Sequence, residues 1–193
     1  MPKLGMEPIR RAALVTATIH EIGERGSLDV TVGAIAKRAG MSSALAHHYF
    51  GGKEQIFIAA MRHTLTVYGD EVRAALSKAT TSHERVEAIV RASFSSSNFR
   101  ADVIAAWLNF YVLAQHVPEA KRLLAIYQAR LRSNLVHALR PLLGRRAPEV
   151  ASRIAALIDG VYLRQSLVKL ATDQSNSTRQ VLDYLSIELE RAA

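Results

Sequence analysis

Two neighbouring histidines and a tyrosine, His47, His48 and Tyr49, stand in a short stretch that opens with Ser42 and Ser43. Such side chains offer hydrogen-bonding atoms without negative charge, which is what a surface pressed against base edges in a DNA groove requires. A second set lies further along the chain. Trp107, Phe110 and Tyr111 share a helical face, Asp159 interrupts the apolar run IAALIDGVYL, Tyr162 follows one turn on, and Tyr127 falls between. Aromatic faces beside a carboxylate can hold an organic cation. At the same spacing aromatics also fill cores, and Asp159 could equally pair with Arg164 or Arg130. Adjacent helical histidines point about 100° apart, so His47 and His48 are poorly placed to share a metal ion. No nucleophile, base and orienting group recur at a recognisable spacing, and no phosphate-binding glycine loop or metal motif is present. No catalytic residue, metal site or cofactor is therefore expected.

The elements that must position these residues are helices. Apolar positions recur with helical periodicity throughout, and no alternating strand pattern stands out. Leu14, Val15, Thr18 and Ile22 form one stripe, stopped by Gly26. Thr31 suits an N-cap, Val32, Ile35, Ala36 and Ala39 follow on one face, and Gly40 suits a left-handed C-terminal position. Ser42 caps the next short helix, which reaches Phe50 before Gly51 and Gly52. A long helix then runs from Lys53 towards Leu76. Val86, Ile89, Val90 and Phe94 mark another stripe. ADVIAAWLNFYVLAQHV predicts a helix buried nearly all round. Further helices are expected from Pro118 to Leu143, from Ile154 to Leu170 and from Ser177 to Arg191, with GRRAP as a loop. The fold class is all-α, with a sensible division at the start of the long helix: residues 1–52 and residues 53–193.

The bulk numbers narrow the partners. The chain has 193 residues, enough to bury a real core. Its net charge of +8 and pI of about 10.1 favour a polyanionic partner without choosing one. No cysteine occurs, so disulfides and thiolate chemistry are excluded. No run is apolar enough to span a bilayer and no signal core follows the first charges, so a cytoplasmic location with no membrane partner is the default expectation.

The first short helix, the glycine turn and the second short helix together make a helix-turn-helix. In such a pair the second helix enters the major groove. Ala46 and Phe50 lie four apart and should face inward. Ala44, His47 and His48 then face outward, with Ser43 and Leu45 on the flanks. Thr31 and Lys53 sit at helix starts, where backbone amides also hold phosphates. Lys3, Arg10, Arg11, Lys37 and Arg38 add positive charge nearby. A non-specific architectural DNA protein or an all-α enzyme are the competing classes.

The block from Thr31 to Ile56, T-V-x-x-I-A-K-R-A-G-M-S-x-A-x-A-H-H-Y-F-x-x-K-E-x-I, resembles the DNA-binding region of the TetR family of repressors. Ala44 stands where that pattern commonly has glycine, and His47 where it commonly has tyrosine. PKLGM and IRR at the start, HYF, AWL at Trp107 and AALIDG at Asp159 are similar to the choline-sensing branch of that family, which represses glycine betaine synthesis. The resemblance implies a homodimer with three N-terminal helices on an operator and a larger C-terminal part for effector and partner subunit. It implies DNA contacts from Thr31, Lys37, Arg38, Ser42, Ser43, Ala44, Leu45, His47, His48, Tyr49 and Lys53. It further implies choline as effector, held by Trp107, Phe110, Tyr111, Tyr127, Asp159 and Tyr162; a repressor answering another cationic or lipophilic ligand is the alternative. Leu163, Leu167, Leu182 and Leu185 would supply the dimer interface, with Gly160 allowing close approach. Recognition helices of such a dimer would sit about 34–36 Å apart, one DNA turn, or a multiple. Effector binding would favour a spacing that fits the operator poorly, with the long helix after Lys53 as the lever.

Overall fold

α1 (Met6–Arg25) buries Leu14, Val15, Thr18 and Ile22 on one face and stops at Gly26. α2 (Val32–Arg38) and α3 (Ser43–Phe50) are short helices with matching starts: the Thr31 hydroxyl accepts from the amide of Ala34, and the Ser42 hydroxyl from that of Leu45. Each cap satisfies an amide that has no partner within the helix. Gly40 and Gly51 sit at φ +67° and +77°, in the region that favours glycine, so the chain can turn sharply after each helix. α4 (Lys53–Leu76) is the long helix, followed by α5 (Ser82–Ser93), α6 (Ala101–His116) and α7 (Pro118–Leu143). α8 (Ala147–Leu167) and α9 (Gln174–Glu190) complete the chain.

The computed structural model describes residues 5–167 and 173–191, all-α with no strand among them. Lys3 and the expected helix end at Leu170 lie outside the described residues. Two boundaries differ from expectation. GRRAP is not a loop: Gly144–Arg146 form a 3-10 turn and α8 begins at Ala147. Pro148 fits because the first turn needs no amide hydrogen there. α9 begins three residues early because Asp173 caps it, accepting from the Asn176 amide at 2.8 Å. α6 is also less enclosed than expected, with Val112 51% exposed.

The chain forms two compact units. One comprises the residues up to Thr64 with Ala101–Leu123; the other comprises Leu65–Arg100 with the residues from Leu124 on. The first unit groups the first half of α4 and all of α6 with the helix-turn-helix, beside the expected division at 52/53. In this first unit α6 packs on α1, and α1 on α2. The approach of α1 to α6 is close enough that a Cβ on Gly23 would lie 2.4 Å from the Asp102 Cβ. His20 meets the Asp102 carboxylate at 2.9 Å across the same contact. In the second unit α9 packs on α5 and α8.

Candidate nucleic-acid interface and effector site

α3 has the expected faces. Ala46 is fully buried, whereas Ser43, Ala44, His47 and His48 are exposed and Leu45 is half-buried. Phe50 is half-buried, with the Arg11 guanidinium 4.4 Å above its ring. Arg11 also donates to the Tyr49 carbonyl, and Arg10 to the Tyr49 hydroxyl at 3.4 Å. Two basic side chains of α1 thus hold the C-terminal end of α3, including Tyr49. The His47 Nδ1 lies 3.2 Å from the Gly51 carbonyl. A carbonyl can only accept, so Nδ1 carries the proton, and in the neutral ring Nε2 is left as an outward acceptor. His48 tilts against the Tyr49 ring at 5.5 Å.

The expected DNA-binding charges divide into two kinds. Lys37 and Lys53 are exposed, with the Lys53 ammonium 5.5 Å from the centre of the Phe57 ring. Arg38 is exposed too, but its guanidinium is engaged within the chain. It donates to Glu21 at 2.5 Å and to Glu24, tying α2 to α1, and the Glu21 hydrogen bond raises its already high pKa. Arg38 therefore braces α2 against α1. The hydroxyls of Thr31 and Ser42 are engaged as caps, but each can still donate its own hydrogen outward. Spacing alone hides the Arg11 and Arg38 braces, since their partners lie 38 and 17 residues away.

The expected effector residues are divided between the two units. Trp107, Phe110 and Tyr111 are on α6 in the first unit: Phe110 is fully buried, Trp107 nearly so, and the Trp107 and Tyr111 rings are 6.1 Å apart. Tyr127, Asp159 and Tyr162 belong to the second unit. There Tyr162 is buried. Its ring packs on Phe99 at 5.1 Å and Phe94 at 5.9 Å, and its hydroxyl donates to the Ser93 carbonyl. It is a core residue with its polar end already satisfied.

The residue that sequence reasoning missed is Tyr68, in α4. It is buried, its ring meets the Tyr127 ring edge-on at 5.4 Å, and its hydroxyl lies 3.2 Å from the Ser93 hydroxyl. Burial, with a smaller contribution from the negative charge of Asp159, pushes its pKa up to about 12. Two aromatic rings thus meet from α4 and α7, with the Asp159 charge of α8 felt at Tyr68. The only sequence signal for Tyr68 is its place four residues after Thr64 on the buried stripe of α4.

Similarity to known proteins agrees with this geometry. Residues 14–60 match the family described as bacterial regulatory proteins, tetR family, and residues 82–190 match the BetI-type transcriptional repressor C-terminal family. The chain belongs to the TetR family, with a BetI-type C-terminal part. Relatives of this TetR protein include the HTH-type transcriptional regulator BetI of Brucella melitensis, 52% identical over 98% of the chain and 96% of the relative. The BetI regulator of Rhizobium meliloti is 48% identical over 98% and 94%. Among solved structures, a putative transcriptional regulator from Saccharomonospora viridis in complex with choline has a TM-score of 0.82 at 22% identity, covering 91% of this chain and 95% of its own. A TetR transcription regulator from Haloarcula marismortui also reaches 0.82, at 17% identity, covering 93% and 98%. The TetR chain is thus a DNA-binding transcriptional repressor, not an enzyme. Among the described residues no helix is long and apolar enough to cross a membrane.

Proposed function

We propose that this repressor is a homodimer controlling choline-to-glycine betaine genes, with choline as the effector that modulates operator binding. The observation that carries the effector reading is the contact of the Tyr68 and Tyr127 rings, with the Asp159 charge acting on Tyr68. A quaternary ammonium offers no hydrogen bond from nitrogen, so only ring faces and a negative charge can recognise it. The near-full-length likeness to BetI regulators, and the choline bound to the S. viridis neighbour, support the same ligand. The dimer reading rests on the apolar surface of α8 and α9. Leu157, Leu163 and Leu167 are exposed on α8 and Ile187 on α9. A Cβ on Gly160 would meet nothing, so that stretch is open to a second copy. Leu185, expected on the same interface, is buried within the chain.

α4 gives the proposal its lever. It starts three residues after α3 ends and carries Tyr68 in its second half, so ligand contact at Tyr68 acts on the helix that continues into the DNA-binding unit. Titration calorimetry with Asp159→Asn, alongside a gel-shift on DNA upstream of the gene, tests it. Choline affinity should fall about tenfold, equivalent to about 1.4 kcal/mol, while operator binding without choline survives. Unchanged choline affinity would remove Asp159 from the site. A thermal-shift response to unrelated amphiphiles, with none to choline or betaine aldehyde, would replace choline with a lipophilic effector.

A further inference from the structure

The positive charge of this chain is not concentrated on its DNA-binding unit. The first unit has ten Lys and Arg against seven Asp and Glu, and the second has fifteen against ten. Most of the local imbalance in the second unit comes from one place. Between Glu119 and Glu149 no acidic residue occurs, and from Leu124 onward that stretch contains Arg130, Arg132, Arg140, Arg145 and Arg146. Arg146 pairs with Glu188, which is 1% exposed. Among the described residues no ion pair engages Arg130, Arg132, Arg140 or Arg145, and all four are exposed. The neighbouring helices are balanced: α5 sets Glu84 and Glu87 against Arg85 and Arg91, and α8 sets Glu149 and Asp159 against Arg153 and Arg164. A surface needed only for solubility mixes both signs.

Two of these four, Arg132 and Arg140, lie along a groove. Ala129, Arg132, Ser133, Val136, His137 and Arg140 repeat at three- and four-residue steps, which places them on one face of α7. With Pro148 of α8 they line a groove of about 530 Å³. Its lining alternates guanidinium and imidazole groups with the apolar side chains of Ala129, Val136 and Pro148. Ile126, 40% exposed, lies one turn before Ala129. A phosphodiester backbone would use the charges but has nothing to set against the apolar positions. An amphipathic helix with carboxylates beside aliphatic side chains matches both, and its i, i+4 period matches that of α7. Arginine suits this use because its fork binds a carboxylate through two parallel hydrogen bonds.

We propose that the α7 groove of the second unit is a docking surface for an acidic amphipathic polypeptide segment of a partner protein. The surface lies outside the helix-turn-helix and uses none of the residues of the choline reading. The repressor can thus hold a protein partner through charges that take no part in operator recognition.

The test uses the full chain at about 0.15 M salt, where weak surface attraction is screened. The probes are a fluorescent helical peptide bearing glutamate and leucine at i, i+4 spacing and a fluorescent random-sequence DNA duplex. The double variant Arg132→Gln/Arg140→Gln is compared with Arg73→Gln/Arg179→Gln, which removes the same charge elsewhere in the second unit. Peptide affinity, read by anisotropy, should fall about tenfold in the first variant and less than about twofold in the second. Duplex binding should be the same in both. Equal losses in the two variants would make the effect diffuse charge and overturn the proposal. So would absent peptide binding by the unmodified chain, or loss of duplex binding alone in the groove variant, which would make the groove a nucleic-acid surface. Choline binding and the operator gel-shift are measured on the same variants. Their retention separates failure here from failure of the choline reading.

Discussion

The helix-turn-helix and the proposed effector site are built in opposite ways. The first runs continuously from Thr31 to Lys53, on two capped helices and the start of a third. Its geometry follows from two hydroxyl caps, two glycine turns and a buried Ala46. The second draws Tyr68, Tyr127 and Asp159 from three helices, and its aromatic ring pair and nearby charge exist only once α4, α7 and α8 have packed. A site held by local hydrogen bonds is robust to what happens elsewhere. A site assembled by packing inherits every strain on its helices, which is also what allows it to respond to a ligand.

The largest break in this comparison should come at Gly23. Gly23→Val puts a branched side chain where even a Cβ lies 2.6 Å from the Asp102 Cα, so α1 and α6 must separate. We expect a loss of about 2 kcal/mol or more in urea unfolding, as for other overpacked contacts. The caps come next. Ser42→Ala should cost about 1 kcal/mol by removing the acceptor for the Leu45 amide, and Thr31→Ala a similar amount. Ser42→Asp sharpens the point. It keeps the cap, and so the melting temperature, but its negative charge beside phosphates should weaken operator binding in a gel-shift. Equal binding by Ser42→Asp and the parent would remove Ser42 from the interface.

Tyr68 and Tyr162 separate the packed site from the core beside it. Tyr68→Leu should lower choline affinity several-fold, by the loss of about 0.5–1 kcal/mol of ring attraction. Tyr68→Phe, which keeps the ring, should change it little. Tyr162→Leu should lower stability, since Tyr162 packs on Phe94 and Phe99, and leave choline affinity unchanged. A loss of choline affinity in Tyr162→Leu matching that in Tyr68→Leu would return Tyr162 to the binding site.

The smallest expected effect is local to α5. Hydrogen bonds from the Thr80 hydroxyl and from the Thr80 and Thr81 amides lower the Glu84 pKa from 4.5 to about 2. Because the folded value is depressed, this contribution is fully present above about pH 4.5 and is lost as the pH falls towards about 2. Glu84→Gln should therefore flatten that part of an acid-unfolding curve, leaving the neutral-pH melting temperature nearly unchanged because the group is exposed.

How far the sequence could be read follows the same division. The helix order, the caps at Thr31 and Ser42 and the outward set of Ala44, His47 and His48 all depend on residues within about four positions of one another, and they were legible. The early starts of α8 and α9 were missed because apolar periodicity fades in a first turn carrying Pro148, or one capped by Asp173. Tyr162 follows Asp159 by one turn, which is all that spacing shows of its surroundings. Its packing against Ser93, Phe94 and Phe99 involves residues more than sixty positions back in the chain, on no shared helical face.

By itself, the sequence determined the helical class, the helix-turn-helix and the family, because periodicity and capping are set by near neighbours and the DNA-binding block is contiguous. Only the tertiary structure decided that Arg38 braces α2 through Glu21 and Glu24, that α6 belongs with the DNA-binding unit, and that Tyr68 is the ring beside Tyr127. The physical reason is that pairing and burial are properties of the surroundings. An arginine, a tyrosine or a carboxylate has the same chemistry wherever it occurs, and only the packing of distant segments settles whether that chemistry is satisfied internally or offered to a ligand.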